Sequence, residues 1–210
     1  MEYLVVILEI VGTAAFALSG GVIGLKKKMD IFGVCMLGLT TAVGGGIIRD
    51  IMLGLTPPAV FSSPGYIAMA VAVPALLFVP AIRRPLAAEG AVHDRLLLWA
   101  DSAGLGVFTV CGVKAAVDAD YGGQWLLLVF VAVMTGVGGG VLRDVFAGDR
   151  PYIFVKHIYA CASIAGALLC RALWYAAGMN ISMLAGMLLV FALRLLSAKF
   201  RWSLPNARNI

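Results

Sequence analysis

Apolar residues along this chain come in long, nearly unbroken runs, and the polar and charged residues are gathered into short stretches between them. Such runs are too continuous for the half-buried face of a soluble helix and show none of the two-residue alternation of a barrel strand, so they predict membrane-spanning helices. Seven are predicted, at about 3–25, 30–53, 65–82, 95–117, 124–147, 152–175 and 180–197. Pro57, Pro58 and Pro64 mark the connection between the second and third, a polar linker at 83–94 precedes the fourth, and 118–123 reads as a turn.

Composition agrees with the pattern. Hydrophobic residues make up 62% of the 210, charged residues only 13%, and mean hydropathy is +0.99, which places the chain among all-α integral membrane proteins. The first run carries Glu9 and no basic cluster ahead of it, so it does not read as a cleaved signal peptide. Cys35, Cys111, Cys161 and Cys170 all fall inside apolar runs and read as small core residues. With His93 and His157 the only histidines, and no metal-ligand spacing around them, neither a metal cofactor nor any other is expected. The net charge of +5 comes from basic residues bordering the apolar runs, so it points to a membrane surface and lipid headgroups and not to nucleic acid.

One stretch occurs twice. Gly44-Gly45-Gly46-Ile47-Ile48-Arg49-Asp50-Ile51-Met52-Leu53-Gly54-Leu55-Thr56-Pro57 returns 94 residues later as Gly138-Gly139-Gly140-Val141-Leu142-Arg143-Asp144-Val145-Phe146-Ala147-Gly148-Asp149-Arg150-Pro151, with seven of fourteen positions identical. Thr41 and Val43 recur as Thr135 and Val137, and at an offset of 92 the stretches around Glu9 and Phe16 match those around Asp101 and Phe108. Residues 3–82 and 95–175 therefore form two copies of three helices each, with 180–197 as an unpaired seventh. Three is odd, so the second copy must lie upside down in the membrane, an inverted repeat of the kind that sets a permeation path or substrate site near the midplane. Of the sixteen lysines and arginines, thirteen fall on the side of the C-terminus and three (Arg49, Lys114 and Arg171) on the other, which puts the N-terminus outside. The C-terminus is then expected in the cytoplasm.

The repeated residues supply the candidate chemistry. Gly44 to Gly46 and Gly138 to Gly140 suit close helix packing, but three in a row also suit a kinked or unwound segment lining a cavity. Arg49 and Arg143 lie near the ends of their helices, about five residues or ~7 Å deep, where an arginine can snorkel; each is followed by an aspartate, Asp50 or Asp144. Glu9 and Asp101 occupy equivalent positions about six residues, or ~9 Å, into their helices, where a carboxylate is expensive without a partner. Two symmetry-related ion pairs are expected, Glu9 with Arg49 and Asp101 with Arg143, one at each mouth of a polar interior. Thr41 and Thr135 are the hydroxyls best placed to line it, although hydroxyls in a span also bond back to their own helix. Lys114 has Val22 as its counterpart, so the shared fold does not require it; it reads as an interfacial anchor or as a charge that moves.

Two copies of Gly-Gly-Gly-x-x-Arg-Asp, seven spans and a three-plus-three inverted arrangement resemble the prokaryotic members of the trimeric intracellular cation channel (TRIC) family over about residues 4–200. The resemblance implies a homotrimer with one hourglass pore in each protomer, permeable to K⁺, Na⁺ and other monovalent cations and lined mainly by the second and fifth helices around the glycine triplets. It also implies a gating role for a basic residue on the fourth helix, here Lys114. Animal relatives bind an inositol lipid at a lysine-containing motif after the corresponding glycines, where this chain has Arg-Asp. From the inverted repeat alone, a secondary transporter for a small solute or ion is the other reading; a purely structural membrane protein leaves the doubled charged motif unexplained. No feature points to an enzyme.

Overall fold

Hydrocarbon offers backbone N–H and C=O groups no partners, so the apolar runs satisfy their own as helices. The structure, a computed structural model, describes residues 3–82, 91–155 and 158–202. Most of the expected linker at 83–94, together with Lys156 and His157, lies outside the described residues. The helices are α1 (Tyr3–Lys26), α2 (Ile31–Met52), α3 (Pro64–Leu76), α4 (Ala91–Asp118), α5 (Trp125–Phe146), α6 (Tyr159–Ala177) and α7 (Met179–Phe200). Among the described residues six helices are long and apolar enough to cross a membrane; α3, with 13 residues, is shorter.

Two elements differ from the sequence pattern. The third apolar run is expected to stay helical to residue 82, but α3 ends at Leu76, just beyond Pro74. Proline has no N–H to give, and the chain beyond it tightens into i→i−3 bonds from Leu77 to Pro74, Phe78 to Ala75 and Val79 to Leu76. The sixth run is expected as one helix from 152; it is a single turn, Tyr152–Val155, followed by α6, and Ile158 at their junction sits at φ +70°. A β-branched residue is rarely found there, and the next residue, Tyr159, is buried at the start of α6.

Packing is set by small residues. With lipid as apolar as leucine, helices associate through close van der Waals contact, which glycine permits. A Cβ at Gly20 of α1 would come within 2.6 Å of the Leu37 carbonyl oxygen of α2, and one at Gly112 of α4 within 2.7 Å of Ala132 Cα of α5. Gly166 of α6 and Gly186 of α7 face each other's carbonyl oxygens in the same way. The centre of the bundle is α4, with 78% of its apolar window buried against 33% for α6 and α7. Phe16 of α1 stacks on Phe108 of α4, ring centroids 5.2 Å apart, so two equivalent positions of the sequence repeat meet face to face. Exposed apolar side chains such as Phe32, Leu126 and Tyr175 are left for lipid or a neighbouring copy.

Candidate functional site

The site grows from the crossing of α2 and α5. Both helices run unbroken through their glycine triplets, so these segments are not unwound. Close packing accounts for the middle glycines: a Cβ on Gly45 would collide with the Thr135 carbonyl oxygen, and one on Gly139 with that of Thr41. Gly44 meets Leu142 and Gly138 meets Ile48, so residue numbers rise along one helix as they fall along the other and the two cross antiparallel. Gly46 differs, with open space around its Cα, and it lines a cavity. Thr41 and Thr135 are fully buried and donate their hydroxyls to Leu37 O at 2.5 Å and Val131 O at 2.7 Å, back into their own helices.

The Arg-Asp motif does the same local work in both copies. Arg49 Nε donates to Asp50 Oδ1 at 2.7 Å, and Arg143 Nε to Asp144 Oδ1 at 2.8 Å. The second oxygen of each aspartate accepts a backbone N–H from the next segment of the chain, Ala59 to Asp50 and Tyr152 to Asp144, both at 2.8 Å. The helix ends match too: the N–H groups of Leu55 and Asp149 return to Asp50 O and Asp144 O, and Gly54 and Gly148 take φ of +72° and +71°, which explains the last glycine of the repeated motif. Asp50 and Asp144 are therefore loop anchors, each about 1% exposed, that orient the arginine beside them.

Where the arginines then reach differs. At the end containing Glu9 a cavity of about 110 Å³ opens, lined by Glu9, Thr13, Gly46, Arg49, Ser63 and Tyr66 among others, and Phe108 is part of its wall. That is room for several waters. Glu9 accepts a hydrogen bond from the Tyr66 hydroxyl at 2.9 Å, and the structure forms no ion pair between Glu9 and Arg49, which share this cavity instead. At the opposite end the cavity's equivalent is filled. Arg143 Nη1 donates to Asp101 Oδ1 at 2.7 Å and to Ser19 Oγ at 2.5 Å, its guanidinium carbon lies 4.8 Å from the centroid of the Tyr152 ring, and its side chain has no exposure. Nη2 lies 2.8 Å from Asp144 Oδ1 without hydrogen-bond geometry. Tyr159 extends its hydroxyl to Asp101 at 3.4 Å, just as Tyr66 does to Glu9. Arg194 of α7 completes the cluster, Nη2 3.6 Å from Asp101 Oδ2. On the rim of this end Lys27 binds Asp149 at 2.5 Å.

Lys114 lies apart from both clusters. Its ammonium pairs with Asp118, one turn on along α4, and the lysine side chain is 27% exposed. Among the described residues no group of three or more His, Cys, Asp or Glu could hold a metal ion.

Known proteins are similar to this chain in sequence and in fold. The family model described as glycine transporter matches two separate segments, residues 6–81 and 98–175. The chain is 38% identical over 205 residues to the inner membrane protein YadS of Escherichia coli K12, covering 95% of this chain and 94% of that one. It is 31% identical over 208 residues to the membrane protein YvgT of Bacillus subtilis, 95% of each. Among solved structures, the crystal structure of a prokaryotic TRIC channel in 0.5 M KCl superposes with a TM-score of 0.88 at 30% identity over 97% of this chain and all of that one. The TRIC orthologue from Rhodobacter sphaeroides gives 0.84 at 31% identity over 94% of this chain and 98% of that one. The chain belongs to the prokaryotic TRIC family.

Within this TRIC member, several participants in the charged clusters are not evident from the repeat motif. Tyr66 and Tyr159 stand 93 residues apart, inside the spacing of the two copies, and aligning the third helix of each copy would expose them. Ser19 is one hydroxyl among several in the spans, and its counterpart is Cys111, so the repeat does not single it out. Arg194 carries no repeat signal at all, being on α7.

Proposed function

We propose that the chain is a passive, potassium-permeable channel for monovalent cations, with an hourglass pathway inside each protomer of a homotrimer and no cofactor beyond the permeant ions. The observation that carries this reading is the cavity around Glu9. Its partly apolar lining carries Glu9, Arg49 and three hydroxyl side chains, it is large enough for water, it reaches Gly46 of α2, and its charges with the neighbouring Asp50 sum to one net negative charge, which favours a cation. The narrow waist is then the Phe16–Phe108 stack and the glycine crossing, with the Glu9 vestibule at one end and the Asp101–Arg143 cluster at the other. The duplicated tyrosine–carboxylate–arginine–aspartate geometry, the antiparallel crossing and the twofold family match support residues 3–82 and 95–175 as inverted copies, with α7 added. The lysine and arginine distribution supports a plasma-membrane protein with its N-terminus outside, so that Glu9 faces the exterior and Asp101 the cytoplasm. Exposed apolar faces on the bundle suit lipid and the other two protomers of the trimer.

A secondary transporter is the second reading, favoured by one observation: a cavity opens beside Glu9, whereas among the described residues Arg143 and Asp101 are paired and fully buried at the other end, as in an outward-facing carrier. Reconstituted protein distinguishes the two. Uncoupled single-channel currents in potassium solutions establish the channel. Saturable uptake of a solute driven by a proton or sodium gradient, with no unitary currents, establishes the carrier.

A further inference from the structure

The two ends carry the same charges in their repeated residues, Glu9, Arg49 and Asp50 at one and Asp101, Arg143 and Asp144 at the other, each summing to a formal charge of −1. Among the described residues that reach the two carboxylates, Arg194 makes them different. It comes from the helix that has no partner in the repeat, is 3% exposed, and brings the Asp101 end to neutrality.

Its position is that of a substitute ion more than of a hydrogen-bonded clamp. The nearest approach, Nη2 to Asp101 Oδ2 at 3.6 Å, is within ion-pair range and beyond a hydrogen bond. Asp101 Oδ2 and Arg194 Nε are both buried without a hydrogen-bond partner, and so is Ser102 Oγ on the neighbouring residue. The guanidinium carbon lies 4.7 Å from the centroid of Tyr159, whose hydroxyl approaches the same carboxylate. A buried carboxylate oxygen left with its lone pairs free is costly, and it is compensated here only by charge placed nearby. A bare or partly hydrated monovalent cation would compensate it equally well, and at Glu9 the equivalent carboxylate has an open cavity and no second arginine.

We propose that Arg194 is a tethered cation: its guanidinium occupies beside Asp101 the position that a permeant monovalent cation takes beside Glu9, and thereby α7 closes one end of the pathway. The inference rests on the cation-pathway reading above. It makes Arg194 a positioning residue for permeation, and it assigns Asp101 Oδ2 as a monovalent-cation site that Arg194 occupies in the closed form.

The test uses purified full-length protein, with melting followed in potassium chloride against choline chloride at equal ionic strength. Arg194→Gln is expected to show a potassium-dependent rise in melting temperature several degrees larger than any that wild type draws from its Glu9 cavity, and the double variant Arg194→Gln/Asp101→Asn is expected to lose that excess. Arg194→Lys, which keeps the charge, is expected to behave as wild type. A potassium response of Arg194→Gln no larger than that of wild type, or an excess over wild type that survives Asp101→Asn, overturns the proposal. Where Arg194→Gln does not assemble, its rescue by Asp101→Asn supports the proposal, and failure of the double variant as well overturns it. Bilayer recordings separate the two levels: wild-type protein without cation currents counts against the channel reading and leaves the binding test standing. A conducting wild type whose open probability is unchanged in Arg194→Gln counts against the tether alone.

Discussion

Arg143 and Asp101 meet at 2.7 Å with both side chains sealed from solvent, whereas their counterparts Arg49 and Glu9 face one cavity without pairing. The difference has a local cause. Aspartate is one methylene shorter than glutamate, and Arg143 gains a hydrogen bond to Ser19 where the other copy offers Cys111. The same motif thus builds a plug at one end and a vestibule at the other.

Breaking the plug on one side leaves an uncompensated charge. Asp101→Asn or Arg143→Gln is expected to cost about 3–5 kcal/mol, and the double variant less than the sum of the two. Thermal unfolding of the four proteins in detergent gives the cycle, and strict additivity would show that Arg143 and Asp101 do not act as a pair.

The glycine triplets make a contrast within three residues. Gly45→Ala and Gly139→Ala force a methyl group onto a carbonyl oxygen of the opposing helix, and leucine there should also abolish permeation. Gly46→Ala meets nothing and replaces a poor helix former, so it is expected to be neutral or to stabilise by up to about 1 kcal/mol. Equal melting temperatures for Gly45→Ala and Gly46→Ala would contradict the crossing described for α2 and α5.

At the vestibule the expected effect is on flux and not on the fold. Glu9→Gln keeps an acceptor for the Tyr66 hydroxyl but removes the negative charge, so cation conductance should fall roughly 2–10-fold in low salt and recover in high salt, where screening makes local charge matter less. A fall independent of ionic strength would mean that Glu9 acts through shape.

How far the sequence reveals this architecture depends on which residues are repeated. The apolar runs place six long helices to within a few residues, because hydrocarbon leaves little choice. They overrun at Pro74 and at Ile158, where an imino acid and a left-handed backbone interrupt a stretch whose apolar content continues. The charges of the motif are visible for the same reason that Asp50 and Asp144 read as pore residues: a repeated polar residue in a span stands out, whether it lines a path or pins a loop. Side-chain reach is not legible. Nothing in the spacing of Glu9 and Arg49 says that they share a cavity instead of a bond, and nothing in α7 says that Arg194 ends beside Asp101.

Lys114 tests the remaining asymmetry of the repeat. It is tied to Asp118 by an i,i+4 ion pair, a contact worth about 0.3–0.5 kcal/mol at a partly exposed site. Such a tether is weak compared with the membrane field: one elementary charge crossing the full potential gains about 2.3 kcal/mol per 100 mV, so movement through part of it can change an equilibrium by at most ~50-fold per 100 mV. A gating role for Lys114 would have voltage detach it from Asp118, and the resulting voltage dependence is expected to be shallow. Lys114→Gln should leave unitary conductance and melting temperature nearly unchanged and flatten open probability against voltage, and Asp118→Asn should shift that curve along the voltage axis without changing its slope. Identical curves for wild type and Lys114→Gln would make Lys114 an anchor at the membrane interface.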